Sequence, residues 1–180
     1  MKANPIGLMR GVIRLDPYNP AWAECFRLEA KRLRERLRQR IGQIEHIGST
    51  AVPELIAKPI IDLMASVDNF EEARSLVPDI EALGYTHGEK DEIPDRHYFA
   101  LRLQDGTATH HLSLAERHSQ FWAQQILFRD YLRANPKSRQ EYANLKQRLA
   151  VKHAGNRLEY VEGKTEFITR VLERARIKNF

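Results

Sequence analysis

Asp62 is a lone carboxylate in an otherwise apolar run, Lys58 to Val67 (KPIIDLMASV). A charge in such a run is costly to bury unless something pairs with it. Upstream stands the turn Gly48-Ser49-Thr50, directly after the strand-like run Gln43 to Ile47. A turn of this kind offers backbone N–H groups and two hydroxyls to an anion. A carboxylate is also the hard oxygen ligand that magnesium takes when it is held mainly by phosphates. The two features together predict one site for phosphate and a divalent cation. Gly48, Ser49, Thr50 and Lys58 would hold the phosphate, and Asp62 would hold Mg2+. Glu45 can join Asp62 on the metal only if its face of the first strand points the same way, because Glu45 and His46 project to opposite faces. Arg96, Tyr98 and His111 lie on or beside a hairpin and are further candidates for the pocket. The bland alternative is an Asp62 bonded to backbone or paired with Lys58, beside a turn of ordinary composition.

Other chemistries lack their residues. Gly42 and Gly48 are wrongly spaced for a Walker motif and lack the Gly-Lys-Ser/Thr that would complete it. Neither G-x-G-x-x-G nor G-x-S-x-G occurs. Cys25 and Ser49 have no sequence neighbour that identifies a general base. His110 and His111 are adjacent, so on a strand they point apart and make a poor metal pair.

The elements that must position these groups follow from periodicity. Val12 to Leu15 is a short strand candidate. Asn19 caps a helix that starts at Pro20. Its apolar face carries Trp22, Phe26, Leu33, Leu37 and Ile41, and Gly42 closes it. The opposite face is basic from Arg27 to Arg40, with Glu29 and Glu35 for partial pairing, and no aromatic interleaves to stack a base. Residues 43–47 and 58–67 read as strands of one sheet. Asp68 and Glu71 form a capping box for a helix that Pro78 kinks or splits and Gly84 ends. Tyr85 to His87 starts a strand, and residues 89–95 read as a mobile polar loop beside the site. Residues 98–103 and 109–114 form a hairpin about Asp105-Gly106. Ser119 caps a helix to Ala134, which Asn135-Pro136 breaks. Two more helices follow, one with Tyr142, Leu145 and Leu149, the other with Tyr160 through Leu172. The chain 1–180 thus reads as one domain of mixed α/β type, strands in the middle and helices at both ends.

The composition bounds the function class. The 180 residues suffice for one well-cored domain and are short for two. Net charge is +5, which suits an anionic ligand. The one cysteine, Cys25, excludes an intramolecular disulfide and disfavours a thiolate zinc site. No secretory signal or membrane-length apolar run is present, so a cytoplasmic protein is expected.

The stretch IEHIGSTAVPELIAKPIIDL resembles the hallmark of the GrpB family, E-H-(I/V)-G-S-T-(S/A)-V-P-G-L-x-A-K-P-I-I-D. VIRLDPYNPAWAECF resembles its entry strand and helix, RHYF its hairpin, and FRDYLRANP with YANLKQRLA its C-terminal helices. Arg157, Tyr160, Lys164 and Phe167 resemble its closing R-x-x-Y-x-x-x-K-x-x-F pattern. The resemblance implies a nucleotidyltransferase-like fold: a mixed sheet flanked by helices, with a helical C-terminal third. In that superfamily a Gly-Ser turn contacts nucleotide phosphates, and aspartates on the next strand hold magnesium. Arg129, Tyr142, Lys146, Tyr160 and Lys164 are then expected to line the pocket with Arg96, Tyr98 and His111. Three departures stand out. Glu54 replaces a frequent Gly, which implies a stiffer connection. Ser113 replaces the second histidine of a frequent H-L-H. Met64 stands where a catalytic nucleotidyltransferase has its second aspartate, and a thioether is a poor magnesium ligand.

The expected function is binding of a nucleotide or other phosphorylated small molecule, with magnesium, and nucleotidyl transfer if the site is catalytic. The alternatives are a catalytically silent binding or sensing module on the same fold and, with less support, nucleic-acid binding through the 27–40 helix. The sequence leaves the oligomeric state open.

Overall fold

The computed structural model describes residues 5–88 and 95–177, so most of the polar loop expected at 89–95 lies outside the described residues. A five-stranded mixed sheet forms the centre. Its strands are β1 (Ile44–Ile47), β2 (Ile61–Val67), β3 (Tyr85–His87), β4 (His97–Arg102) and β5 (Ala108–Glu116), in the order β1-β2-β5-β4-β3. β1 runs antiparallel to β2, β2 parallel to β5, and β4 antiparallel to both β5 and β3. The mixed sheet, the expected hairpin and the helical C-terminal third are all present.

One face of the sheet is covered by α1 (Ala21–Leu37) and the short α2 (Val77–Glu81). Leu63, Ala65, Leu112, Leu114 and Phe99 meet Trp22, Leu33, Leu37 and Ile80 there in the main core. Inside this core Glu29 is buried, accepting from Arg32 Nη1 at 2.8 Å and from Tyr85 Oη at 2.9 Å. The carboxylate is therefore paired and bonded, as a buried charge must be. The basic face of α1 is largely neutralised. Arg27 pairs with Glu24, Lys31 with Glu35, and Arg36 and Arg40 both reach Asp79.

The other face meets the C-terminal helices α3 (Gln120–Ala134), α4 (Pro136–Lys152), α5 (Arg157–Glu162) and α6 (Thr165–Ile177). Val52 and Leu55 join Tyr131, Leu132, Tyr142, Phe167 and Val171 in a second core. Ser119 caps α3 as expected, accepting from Trp122 N–H at 3.2 Å.

Several local expectations are corrected. Residues 12–15 form no strand; pairing there is confined to single bridges, Leu8 with Ala108 and Asp16 with Ala57. Asn19 Oδ1 does accept from Ala21 N–H at 3.0 Å, but α1 stops at Leu37, before Gly42. Arg38 takes φ +52° there and a 3-10 turn, Arg38–Arg40, follows. β2 begins at Ile61 rather than Lys58, because Lys58, Pro59 and Ile60 lie before the ladder. The cap after β2 is Asn69, whose Oδ1 accepts from Glu72 N–H at 3.1 Å, not Asp68. Pro78 does split that helix, into a 3-10 turn, Glu72–Leu76, and α2. The final helix is two, α5 and α6, divided near Gly163.

Glu54 has φ +64°, the left-handed region that glycine enters freely. The departure at this position is therefore a strain and not only a stiffening. Its Oε2 accepts from Arg139 Nη2 at 2.5 Å, a contact on an exposed side chain that contributes little. Glu54→Gly is expected to raise the urea midpoint, by up to about 1 kcal/mol of stability. A fall in the midpoint would mean that the Arg139 contact outweighs the backbone strain.

Candidate functional site

The ladder sets which side chains share the C-terminal-helix face. Asp62 pairs with His111 on β5 and with Ile47 on β1, while Glu45 pairs with Met64. Paired residues lie on one face, so Glu45, Asp62, Met64 and His111 all project the same way. His111 Nδ1 lies 3.0 Å from Asp62 Oδ1, donating its N–H to the carboxylate.

The chain reaches Asp62 a second time at Gly48, which takes φ +69° and ψ −171°. A Cβ placed on Gly48 would sit 2.3 Å from Asp62 Oδ2. Only a residue without a side chain lets the turn approach the carboxylate this closely. Beyond it, Ser49–Ala51 forms a 3-10 turn in which Ala51 N–H donates to Gly48 O and Val52 N–H to Ser49 O. Those two N–H groups are thus consumed within the turn. The Thr50 hydroxyl is buried, 3.0 Å from His46 Nε2 and 3.4 Å from Ile60 O. Burial pushes His46 down to about 4, so its ring is neutral at pH 7. Thr50 thereby braces the turn from behind with its side chain.

The cationic side of the site comes from the helices. Lys146 on α4 is 2 % exposed and donates from Nζ to Ser49 Oγ at 2.9 Å and to Ile56 O. Burial, then the nearby Lys164 ammonium, pushes Lys146 down to about 7. Burial also leads for Lys58, helped by Lys164 and Arg157, and brings it to about 8. Lys164 is lowered too, by burial first, against a raising influence from Asp62. Lys58 Nζ lies 4.3 Å and Lys164 Nζ 4.9 Å from the centre of the Tyr160 ring, whose face attracts cations. Burial pushes the Tyr160 and Tyr98 hydroxyls up to about 12, Tyr98 with help from Asp62, and raises Tyr142 as well.

These groups enclose a cavity of about 110 Å³ lined by Ser49, Thr50, Lys58, Asp62, His111, Lys146, Tyr160 and Lys164. A second space of about 200 Å³ continues from it past Gly48, Ser49, Asp62, Tyr142 and Lys164 to Gln124, Gln125 and Phe128. Most of the expected site residues are therefore brought together. Gln124, Gln125 and Phe128 escaped the sequence reading, which offered no signal beyond their place on an amphipathic helix.

Four expected residues line neither space: Tyr98, whose ring lies beside His111 with centres 5.3 Å apart, and Arg129, Glu45 and Arg96. Arg129 is buried under α3, where Nη1 donates to Glu45 Oε2 at 2.5 Å and to His46 O at 3.0 Å, and Nε to Asp130 at 2.8 Å. It ties α3 to β1 and lines neither space. Glu45 faces the same way as Asp62, as its metal role requires, but its carboxylate is engaged by Arg129 and Gln43. Arg96 lies over the rings of Tyr98 and Phe121, 4.9 and 5.4 Å from their centres. Met64 is fully buried among Ile47, Ala115, Phe121 and Trp122. An aspartate there would sit in an apolar cluster rather than in the cleft.

Magnesium fits this donor set only in part. Among the described residues no group of three or more His, Cys, Asp or Glu side chains could hold a metal ion. Asp62 can supply one carboxylate oxygen, Oδ2, with a bound ligand's phosphates supplying others, a division magnesium commonly accepts.

Among the described residues no helix is long and apolar enough to cross a membrane. The GrpB protein family model matches residues 12–174. The UPF0157 protein YqkA of Bacillus subtilis is 38 % identical over 178 residues, covering 94 % of this chain, which spans about half (51 %) of that relative's length. The crystal structure of conserved protein GrpB from Enterococcus faecalis superposes with a TM-score of 0.83 at 34 % identity, covering 92 % of this chain and 99 % of that one. A structure of Cid1, described as an RNA terminal uridylyl transferase, reaches a TM-score of 0.52 at 12 % identity over 74 % of this chain and 41 % of its own, a likeness of nucleotidyltransferase-type fold alone. With the family model spanning nearly its whole length and a GrpB crystal structure overlying its sheet and helices, the chain belongs to the GrpB family.

Proposed function

We propose that the cavity at Asp62 binds a nucleotide or other phosphorylated small molecule, with Mg2+ held between Asp62 and the ligand's phosphates. The observation that carries this reading is the convergence of Lys58, Lys146 and Lys164 on one small cavity that a single carboxylate, Asp62, shares. Their mutual repulsion and burial are costs that a polyanion relieves. Lys146 and Ser49 would hold one phosphate, and Lys58 and Lys164 another, against the Tyr160 face. The fold shared with Cid1 supports a nucleotide as the phosphate carrier.

The same geometry favours binding over rapid nucleotidyl transfer. A two-metal site needs carboxylates close enough to bridge ions about 3.5–4 Å apart. Met64 gives a cation nothing, and Glu45 is tied to Arg129. A binding or sensing role, with transfer slow or absent, follows from these two residues.

Two measurements test the site. Lys146 is charged below about 7 and Lys58 below about 8. A bound anion favours the charged forms, so the complex holds more protons than the free chain. Affinity for a nucleoside triphosphate should be full below about pH 7 and should fall as pH rises through 7 and 8. Titration calorimetry in buffers of different ionisation enthalpy should record proton uptake near pH 8. Affinity that is flat or rising across this window would contradict the lysine assignment.

The metal is tested by titrating nucleoside triphosphate with and without Mg2+. In the natural protein Mg2+ should tighten binding, and Asp62→Asn should abolish that gain while leaving metal-free binding in place. A Mg2+ effect that survives Asp62→Asn places the cation away from β2.

A further inference from the structure

A third cavity, of about 180 Å³, opens next to the phosphate site and shares Lys58, His111 and Lys164 with it. Its far wall is built by parts of the chain that the site does not use. Residues 7–8 lie against the sheet, Gly7 N–H donating to Pro59 O at 2.7 Å and Leu8 bridging Ala108. The chain then turns, with Val12 N–H donating to Met9 O at 3.2 Å. That turn hangs Arg10 over the cavity beside Arg102 of β4 and Arg157, the first residue of α5.

The charge balance of this cavity is one-sided. Arg10, Arg102 and Arg157 join Lys58 and Lys164 in its lining, and no carboxylate lines it. Among the described residues none of the three guanidiniums makes an ion pair; Arg102 donates only to Gly106 O, at 3.3 Å. This differs from the α1 face, where most of the basic side chains have a carboxylate partner. Between the cations the walls are apolar, and Met9 and Val12 are left half exposed, 49 % and 47 %. A site of this composition asks for a compact dianion on a short apolar body. Planar guanidinium forks match phosphate oxygens in pairs, a geometry lysine lacks.

We propose that the cavity walled by Arg10, Arg102 and Arg157 is a second ligand site, which takes a small phosphomonoester with an apolar body alongside the phosphates bound at Asp62. The inference rests on the reading of the Asp62 cavity as a phosphate site. The shared Lys58 and Lys164 then stand between two anions, and each ligand offsets repulsion that the other leaves.

The test uses the full chain and phenyl phosphate as the probe. Binding is followed by calorimetry and by the methyl signals of Leu8, Met9 and Val12, with and without a saturating nonhydrolysable nucleoside triphosphate. Phenyl phosphate should bind in both states, tighter than phenol, and should shift those methyl signals. The double variant Arg10→Gln/Arg102→Gln should weaken it about tenfold or more while leaving nucleotide affinity nearly unchanged, since neither residue lines the Asp62 cavity. Both side chains are exposed, so an unchanged thermal midpoint confirms that the variant folds. Loss of phenyl phosphate binding on nucleotide saturation would reduce the two cavities to one site and overturn the proposal. So would phenyl phosphate binding that the double variant leaves intact, or no binding at all. Failure of the nucleotide to bind would instead sink the reading of the Asp62 cavity, while the effect of the double variant on phenyl phosphate alone would still report on the second one.

Discussion

Lys146 crosses from the helical half of the molecule to the turn after β1, and the cleft depends on that crossing. Its ammonium is nearly sealed from water, where an uncompensated charge would cost several kcal/mol. Compensation comes from Ser49 Oγ, from Ile56 O and from the Tyr142 ring, 4.8 Å away. Ser49 and Ile56 lie on either side of the connection between β1 and β2, so one side chain fixes both ends of that connection against α4. Tyr142 in turn stacks on Phe167 of α6 at 5.1 Å and meets Phe128 of α3 edge-on at 5.4 Å. The polar tie is thus embedded in the apolar cluster that joins the three long C-terminal helices. Loosening the cluster would loosen the turn.

The sheet contributes the opposite charge. A parallel β2–β5 pairing sets Asp62 beside His111, and Gly48 brings the turn within one atom's breadth of the carboxylate. Anionic strand and cationic helices therefore meet across a small gap without collapsing into an ordinary salt bridge. Asp62 is instead bonded by His111, and Lys146 by a hydroxyl and a carbonyl. Charges held apart in this way are available to a third party, which separates this cleft from the paired surface of α1.

Much of this could be read from the sequence, for identifiable reasons. Asp62 in an apolar strand, the turn at Gly48 and the hairpin at Asp105-Gly106 are short-range signals, set by alternation and turn chemistry. Helix ends were less legible. Asn69 rather than Asp68 caps the turn after β2: the strand ends at Val67 as expected, but the turn itself starts one residue later than the capping-box pattern implies. Arg38 ends α1 in a left-handed conformation that no local residue type announces. Long-range partnerships were the least legible. Arg129 was expected in the pocket, but α3 sets it against β1, where Glu45 meets it. Met64 was legible as a missing ligand, yet its burial beneath Phe121 and Trp122 depends on how α3 docks. The cavity at Arg10 joins an N-terminal turn, a strand end and a helix start, which only the folded chain brings together.

The depressed lysines also have a consequence for covalent chemistry. An ammonium has no lone pair, whereas the free amine attacks activated esters and aldehydes. An ordinary surface lysine keeps its proton to about pH 10, while Lys58, at about 8, is an amine in an appreciable fraction of molecules near neutrality. It lines two cavities and is half-buried, so a small electrophile can reach it. Acylation of the folded chain at low reagent excess would therefore favour Lys58, with its neighbour Lys164, over the surface lysines, and a bound polyanion would shield it by returning its proton. The cleft thus marks itself chemically, through a selectively reactive amine whose silence reports occupancy.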